Sequence, residues 1–318
     1  MESIVFLDRN TLRADVRRPS FEHAWREYEK TSPAEVVERL RDATIAITNK
    51  VPLGRDAINQ LPRLKMIAVA ATGVDMIDLA AAGERGVVVS NVRGYARTVV
   101  PEHVFALILA LRRQLIAFHE DVRRGRWAEA EAFCLLDHPV RDLAGSTLGL
   151  VGHGSIGRGV ERIARAFGMR VLVAERKGAD AVREGRAAFD EVVRESDVLS
   201  LHVPLNEETR HLIGAQELRM MKREALLINC ARGGVVDERA LAEALRGRVI
   251  AGAGVDVLTR EPPRDGNPLL APDLPNLVLT PHVAWASLEA MQALADQLVE
   301  NIEAFARGAP KNLVTSDE

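Results

Sequence analysis

Cysteine is scarce in this 318-residue chain, with Cys134 and Cys230 the only two. Two thiols are too few for a disulfide framework and their separation matches no metal-ligand spacing, so a reducing, cytoplasmic setting without a bound metal is expected. There is no basic excess: 42 Lys and Arg stand against 45 Asp and Glu, a net charge of −3. A dedicated nucleic-acid binder would carry a basic surplus, so none is expected as partner. Long apolar runs are also missing. The best, Val104 to Leu111, is bounded by His103 and Arg112 and falls well short of the roughly 18 residues that span a bilayer, so no membrane partner is expected. The start, Met1 to Asp8, lacks the basic segment and apolar core of a signal peptide and reads as a strand. Aromatics make up only 4%, and lysine supplies 6 of the 42 cations. The arginines that supply the rest are scattered along the chain, which fits coding bias better than function.

What is present is an ordinary globular composition, 47% hydrophobic and 27% charged. At roughly 150 residues per domain the length suits two domains. Short β-branched runs alternate with helix-period segments, the pattern of parallel α/β sheets. In the first part strands are expected at Ile4 to Leu7, Ile45 to Thr48, Met66 to Val69 and Val87 to Ser90, with helices at Pro33 to Arg41 and Met76 to Ala82. Pro101 to Gln114 is too continuously apolar for an exposed helix and should be buried, between domains or subunits. The stretch Arg123 to Leu143 is polar and irregular, with Trp127, Phe133 and Pro139 as isolated anchors, and suits an arm packed on a partner chain. A second series places strands at Leu148 to Val151, Arg170 to Ala174, Val198 to Leu201, Ala225 to Asn229, Ala251 to Asp256 and Leu277 to Leu279, enough for a doubly wound nucleotide-binding sheet. A final amphipathic helix runs from its N-cap Ser287 to Arg307.

The sharpest motif is Gly152-His153-Gly154-Ser155-Ile156-Gly157, directly after a strand and opening a helix. Gly152 suits the tight turn, Gly154 a close backbone approach to a pyrophosphate, and Gly157 close helix–strand packing, while the helix N-terminus supplies N–H donors. The next strand ends at Glu175, where an acidic side chain accepts from the ribose hydroxyls of NAD. Arg176 and Lys177 follow; a guanidinium there accommodates the 2′-phosphate of NADP, so NAD is favoured with NADP possible. Three further strand ends carry polar residues: Cys230-Ala231-Arg232-Gly233-Gly234, Asp256 to Pro263 with Glu261, and Thr280-Pro281-His282. Cys230 has no neighbouring base and is not read as a nucleophile.

Taken in order, the glycine loop, Arg232, Asp256, Glu261 and His282 resemble the D-isomer-specific 2-hydroxyacid dehydrogenases over nearly the whole chain. Ala71 to Asp75, Asn91 to Tyr95, Gly125-Arg126-Trp127, Phe133 to Asp137, Val173 to Gly178 and His282 to Ser287 point to the glycerate dehydrogenase, or hydroxypyruvate reductase, branch. The resemblance implies two doubly wound parallel-sheet domains. A Rossmann NAD(P)-binding domain (99–285), with a dimerisation arm at about 115–145, is inserted into a flavodoxin-like substrate domain (1–98 and 286–318), in a homodimer. It implies that Arg232 binds the carboxylate of a small 2-keto acid and polarises the keto oxygen, that His282 is the general acid and base, and that Glu261 supports the imidazolium. Thr72, Gly73 and Val74, from the other domain, would close on the carboxylate. Cofactor contacts carried over are Gly152, Gly154, Ser155, Ile156, Gly157, Glu175, Arg176, Val203, Pro204, Thr209, Cys230, Ala231, Asp256, His282 and Ala284, with Asp256 at the nicotinamide amide.

The substrate is open between hydroxypyruvate and glyoxylate. After Tyr95 the branch continues with small and acidic residues, whereas here Arg97 follows, with Arg93 just before; either arginine favours a more acidic substrate or faces water. A 3-phosphoglycerate dehydrogenase and an NAD-sensing co-repressor-type dimeric scaffold are the competing readings. Formate dehydrogenase is disfavoured, since that branch carries glutamine where Glu261 stands.

Overall fold

The computed structural model describes residues 1–315 and divides into two compact units, Met1–Ala96 with the chain from Ala286 onward, and Arg97–Trp285. Each is built on an all-parallel sheet.

In the first unit β1 (Glu2–Phe6), β2 (His23–Glu27), β3 (Ile45–Thr48), β4 (Met66–Val69) and β5 (Val88–Ser90) lie in the order β2-β1-β3-β4-β5. Every residue of β3 and β4 is buried, as expected of a parallel strand covered on both faces. The short helices α1 (Val36–Leu40), α2 (Arg55–Asn59) and α3 (Leu79–Glu84) connect them. Besides the unexpected short helix α2, two features depart from the sequence expectation. The edge strand β2 was not expected, and α3 begins at Leu79 rather than Met76, because the Asp78 side chain accepts from Ala81 N at 2.8 Å and caps the helix there.

The C-terminal helix Leu288–Ala306 belongs to this unit and packs against β4. Ser287 Oγ caps it by accepting from Ala290 N at 3.0 Å. Near its end Glu303, 8% exposed, takes both guanidinium nitrogens of Arg17 at 2.7 and 3.0 Å and the backbone N–H of Ser20 at 2.9 Å. These donors, Arg17 foremost, hold the Glu303 carboxyl down from 4.5 to about 2. A group depressed on folding stabilises above its unfolded value and loses that contribution as pH falls through its folded one. Wild type is therefore expected to be more stable than Glu303→Gln at pH 7, with the gap narrowing as pH drops from about 4.5 towards 2. Urea unfolding of both proteins across that range checks it; a gap that stays constant contradicts the assignment.

The second unit opens with α4 (Val99–Arg112) and α5 (Leu115–Arg123). It continues as β6 (Thr147–Val151), α6 (Ser155–Ala166), β7 (Arg170–Val173), α7 (Phe189–Glu195), β8 (Val198–Leu201), α8 (Ala215–Met220), β9 (Leu226–Asn229), α9 (Glu238–Arg246), β10 (Gly252–Val255) and β11 (Leu277–Leu279). The strand order is β11-β10-β9-β8-β6-β7. Beyond β7, Ala187 pairs with Ala174 in a single parallel bridge, so the outer strand of a full dinucleotide-binding sheet is reduced here to one residue. The chain order reverses between β6 and β8, and their carboxyl ends therefore flank the ligand crevice of such a sheet.

Helix α4 is buried, but within its own unit: Val104, Leu107, Ile108 and Leu111 are at most 3% exposed, and the helix lies against α6 and β9–β11. Its close approach to α6 depends on Gly159, where a Cβ would come within 2.6 Å of Pro101. After α5 the chain is irregular up to β6. Asp121 pins it from inside, accepting from His138 at 2.7 Å and pairing with Arg126 at 2.8 Å, while Phe133 and Leu136 stand 90% and 86% exposed. No helix among the described residues is long and apolar enough to cross a membrane.

Candidate active site

At the end of β6 the backbone turns at Gly152, φ +93°, where a Cβ would lie 2.3 Å from the carbonyl oxygen of His202. Gly157 is equally constrained, since its Cβ would meet Gly152 O at 2.4 Å. Gly154 differs: nothing lies within 4 Å of its would-be Cβ, and it is the N-cap of α6 without any capping side chain. The opening N–H groups of this 12-residue helix, at Ser155 and Ile156, thus have no capping side chain, and the space beside Gly154 is open. Space and donors both fit the pyrophosphate of a dinucleotide.

Ile156, Val203, Pro204, Cys230, Ala231 and Arg232 line one pocket together with His202. His202 escaped the sequence reading, although its place directly after β8 was a signal. Burial pushes its imidazole down to about 4, so it is neutral at pH 7, and its Nε2 shares a hydrogen bond with Ser200 Oγ at 2.9 Å. Burial, with Asp256 nearby, pushes the Cys230 thiol up and keeps it protonated, which agrees with its not being a nucleophile. Thr209 is not among the lining residues. Its hydroxyl donates to Pro204 O at 2.6 Å and accepts from Asn206 N at 2.8 Å, so it shapes the loop that presents Pro204.

Glu175 departs most from expectation. It is 4% exposed, and its carboxylate is engaged by its own chain. Oε1 accepts from Arg176 N at 2.8 Å and from Arg183 Nη2, while Oε2 accepts from Arg183 Nε at 2.6 Å and Arg183 N at 3.3 Å. Arg183 above all holds this carboxyl at about 2. The side chain expected to meet the ribose is committed to an arginine in this structure, while Arg176 itself is exposed.

Arg232 follows β9. Asn229 frames it, its Oδ1 accepting from Ala231 N at 3.1 Å and its Nδ2 donating to Arg232 O at 3.0 Å, and Arg232 Nη1 donates to Ala231 O at 2.8 Å. The next residue, Gly233, has backbone pressed on Leu258, whose carbonyl a Cβ would overlap at 2.0 Å. That contact joins the Arg232 turn to the loop after β10, which carries Glu261. Glu261 Oε1 accepts from Leu258 N at 2.8 Å, and Oε2 meets His282 Nδ1 at 2.5 Å. Because Nδ1 is paired, Nε2 is the ring atom left to exchange a proton.

His282 has a left-handed backbone, φ +55°, uncommon for a residue with a side chain. Its neighbours secure it. Asp256, 1% exposed, accepts from Thr280 Oγ1 at 2.5 Å and Val283 N at 2.9 Å through Oδ1, and from Ala284 N at 2.9 Å through Oδ2, while its backbone oxygen accepts from His282 N at 2.8 Å. The Asp256 carboxylate, expected at a nicotinamide amide, carries three donors of its own unit and so positions the His282 turn. Ala284, 3% exposed, takes part as a backbone donor. His103 of α4 reaches Thr280 Oγ1 at 3.1 Å, and Trp285 Nε1 donates to His282 O at 3.1 Å, so that indole braces the turn.

In the first unit Thr72, Gly73 and Val74 follow β4. Thr72 Oγ1 donates to Val92 O and its carbonyl accepts from Asn91 Nδ2, both at 2.7 Å, which sets the loop's shape. Arg93 donates to Asn91 Oδ1 at 3.0 Å and Leu313 O at 2.7 Å, serving as a brace of its own unit, whereas Arg97 is exposed. Among the described residues no group of His, Cys, Asp and Glu is arranged to hold a metal ion.

A parallel α/β unit with a phosphate-binding glycine turn, and a His–Glu pair beside an arginine at neighbouring strand ends, defines a dinucleotide-dependent oxidoreductase. Residues 105–284 match the family model for the D-isomer specific 2-hydroxyacid dehydrogenase, NAD binding domain. The chain is 52% identical over 314 residues to the glycerate dehydrogenase of Methylorubrum extorquens, covering 98% of this chain and 99% of that one. It is 34% identical over 293 residues to the hydroxypyruvate reductase of Blautia hydrogenotrophica, at 90% of each. Among solved structures, the NADPH-dependent glyoxylate/hydroxypyruvate reductase of Sinorhizobium meliloti superposes with a TM-score of 0.82 at 29% identity, over 99% of this chain and 98% of that one. The chain belongs to the D-isomer-specific 2-hydroxyacid dehydrogenases.

Proposed function

We propose that this enzyme reduces hydroxypyruvate or glyoxylate to the corresponding 2-hydroxy acid, with Arg232, Glu261 and His282 as its working residues. The observation that carries this is the His282 Nδ1–Glu261 Oε2 contact of 2.5 Å on a turn fixed by Asp256. A nicotinamide dinucleotide, when bound, would supply the hydride. Gly152, Gly154 and Gly157 shape the turn that would hold its pyrophosphate on Ser155 and Ile156, and Val203, Pro204, Cys230 and Ala231 wall the adjoining pocket. Arg232 binds the substrate carboxylate and draws negative charge onto the keto oxygen, where an alkoxide develops. His282, its Nδ1 proton held by Glu261, gives the Nε2 proton to that oxygen and takes it back in the reverse direction.

The same reading makes the enzyme a cytoplasmic homodimer, with 115–145 as the dimer arm. Support comes from the exposure of Phe133 and Leu136 on a segment otherwise pinned from inside by Asp121. Steady-state rates with hydroxypyruvate, glyoxylate, pyruvate and phosphohydroxypyruvate, each with NADH and NADPH, test the reaction. Turnover should be highest on hydroxypyruvate or glyoxylate. No turnover on any of the four, with NADH bound, would sink the proposal.

A further inference from the structure

The end of β7 is the position from which a dinucleotide-binding sheet reads the adenosine ribose. An acidic residue there discriminates for NAD when its oxygens accept from the ribose hydroxyls. A carboxylate offers about four lone-pair sites, and in Glu175 four donors occupy them: Arg176 N at 2.8 Å, Arg183 Nη2, Arg183 Nε at 2.6 Å and Arg183 N at 3.3 Å. Arg186 Nε stands a further 4.0 Å away. The carboxylate has no acceptor left to offer a ribose diol, and its charge is neutralised where it would repel a phosphate.

The segment that delivers these arginines is fastened at both ends. Glu175 N donates to Ala187 O at 2.8 Å and Ala187 N to Val173 O at 2.9 Å, which closes 176–186 into a loop standing on the carboxyl end of β7. That end adjoins β6 and its glycine turn. Arg176 is exposed and Arg183 is 59% exposed, so both face solvent there, whereas Lys177 is drawn off to Glu217 at 2.8 Å. Two guanidinium groups, of Arg183 and Arg186, thus flank one satisfied carboxylate, and the exposed Arg176 follows it directly in sequence.

We propose that Glu175 serves as the counter-ion that sets Arg183, and that Arg183 and Arg176 form a subsite for the 2′-phosphate of NADPH, so that this enzyme uses the phosphorylated dinucleotide in preference to NADH. The inference rests on the dinucleotide-binding reading given above. Arg183 acts in it twice, as a phosphate donor and as the group that cancels the repulsion from Glu175.

The test is calorimetric binding of adenosine 2′,5′-bisphosphate and of 5′-AMP to the whole enzyme. The bisphosphate is expected to bind about tenfold tighter or better, the worth of one or two charge-assisted hydrogen bonds. Arg183→Ala should reverse the preference, because the released Glu175 carboxylate repels the 2′-phosphate and accepts from the ribose. Arg183→Lys should restore part of it. Since Arg183→Ala leaves a buried carboxylate without its partner and could unfold the loop, Arg176→Ala provides the second variant. Only the backbone N–H of residue 176 meets Glu175, and its side-chain removal should weaken bisphosphate binding several-fold at an unchanged melting temperature. Equal or tighter binding of 5′-AMP by wild type, with NADH bound normally, overturns this proposal alone. Binding of neither NADH nor NADPH overturns it together with the reading on which it rests.

Discussion

Substituting His282 by asparagine is expected to lower kcat by about a thousandfold on the preferred 2-keto acid, within the range general acid–base catalysis supplies. The expectation follows from where the ring is held. Nδ1 is committed to Glu261 at 2.5 Å, and the backbone is fixed at φ +55° by Asp256, so Nε2 is presented in one orientation. Asparagine tolerates that left-handed backbone better than most residues, which keeps the variant folded. NADH binding, followed by fluorescence, should be largely retained. Glu261→Gln should lower kcat by a smaller factor, because the ring stays and only its charged partner is lost. If the asparagine variant kept kcat within a few-fold of wild type, another group would be the proton donor.

Arg232→Ala is expected to lower kcat/KM by about a thousandfold or more, since in the proposed reaction one side chain supplies both carboxylate binding and stabilisation of the developing alkoxide. Both KM and kcat should suffer. Arg232→Lys should recover only a part, because an ammonium cannot reproduce the two-pronged guanidinium contact with a carboxylate. A rise in KM alone in the alanine variant would restrict Arg232 to binding and remove it from the chemical step.

Buried strands were the most legible part of the fold. The second-unit strands lie within one residue of their expected bounds, and β6, β8, β9 and β10 are buried throughout, as parallel strands covered on both faces are. β2 was missed for the complementary reason. His23-Ala24-Trp25-Arg26-Glu27 is an edge strand with no fully buried residue, held by pairing to β1 rather than by its own side chains. α2, five residues long, is too short to show a period.

At the candidate site, residue types at strand ends were readable, but the partners of their side chains were not. Glu175 looked like a ribose acceptor because its donor, Arg183, sits eight residues ahead on a loop with no signature. The second role of Asp256, positioning the His282 turn, was equally illegible, because its donors at Thr280, Val283 and Ala284 lie 24 to 28 residues away. Hydrogen-bond capacity is settled by what the fold brings near, and no local pattern reports it.

The single bridge at Ala187 has a consequence for how this enzyme can change. A full outer strand would lock the intervening chain into register, and any alteration there would be felt by every paired neighbour. With one residue pairing, the backbone of 176–186 is attached to the sheet only around Glu175 and Ala187, so this cassette can vary in length while Arg183 stays tied to Glu175. Redox partner choice can then drift by substitution or insertion in this cassette alone, leaving the proton-transfer machinery on β10 and β11 untouched.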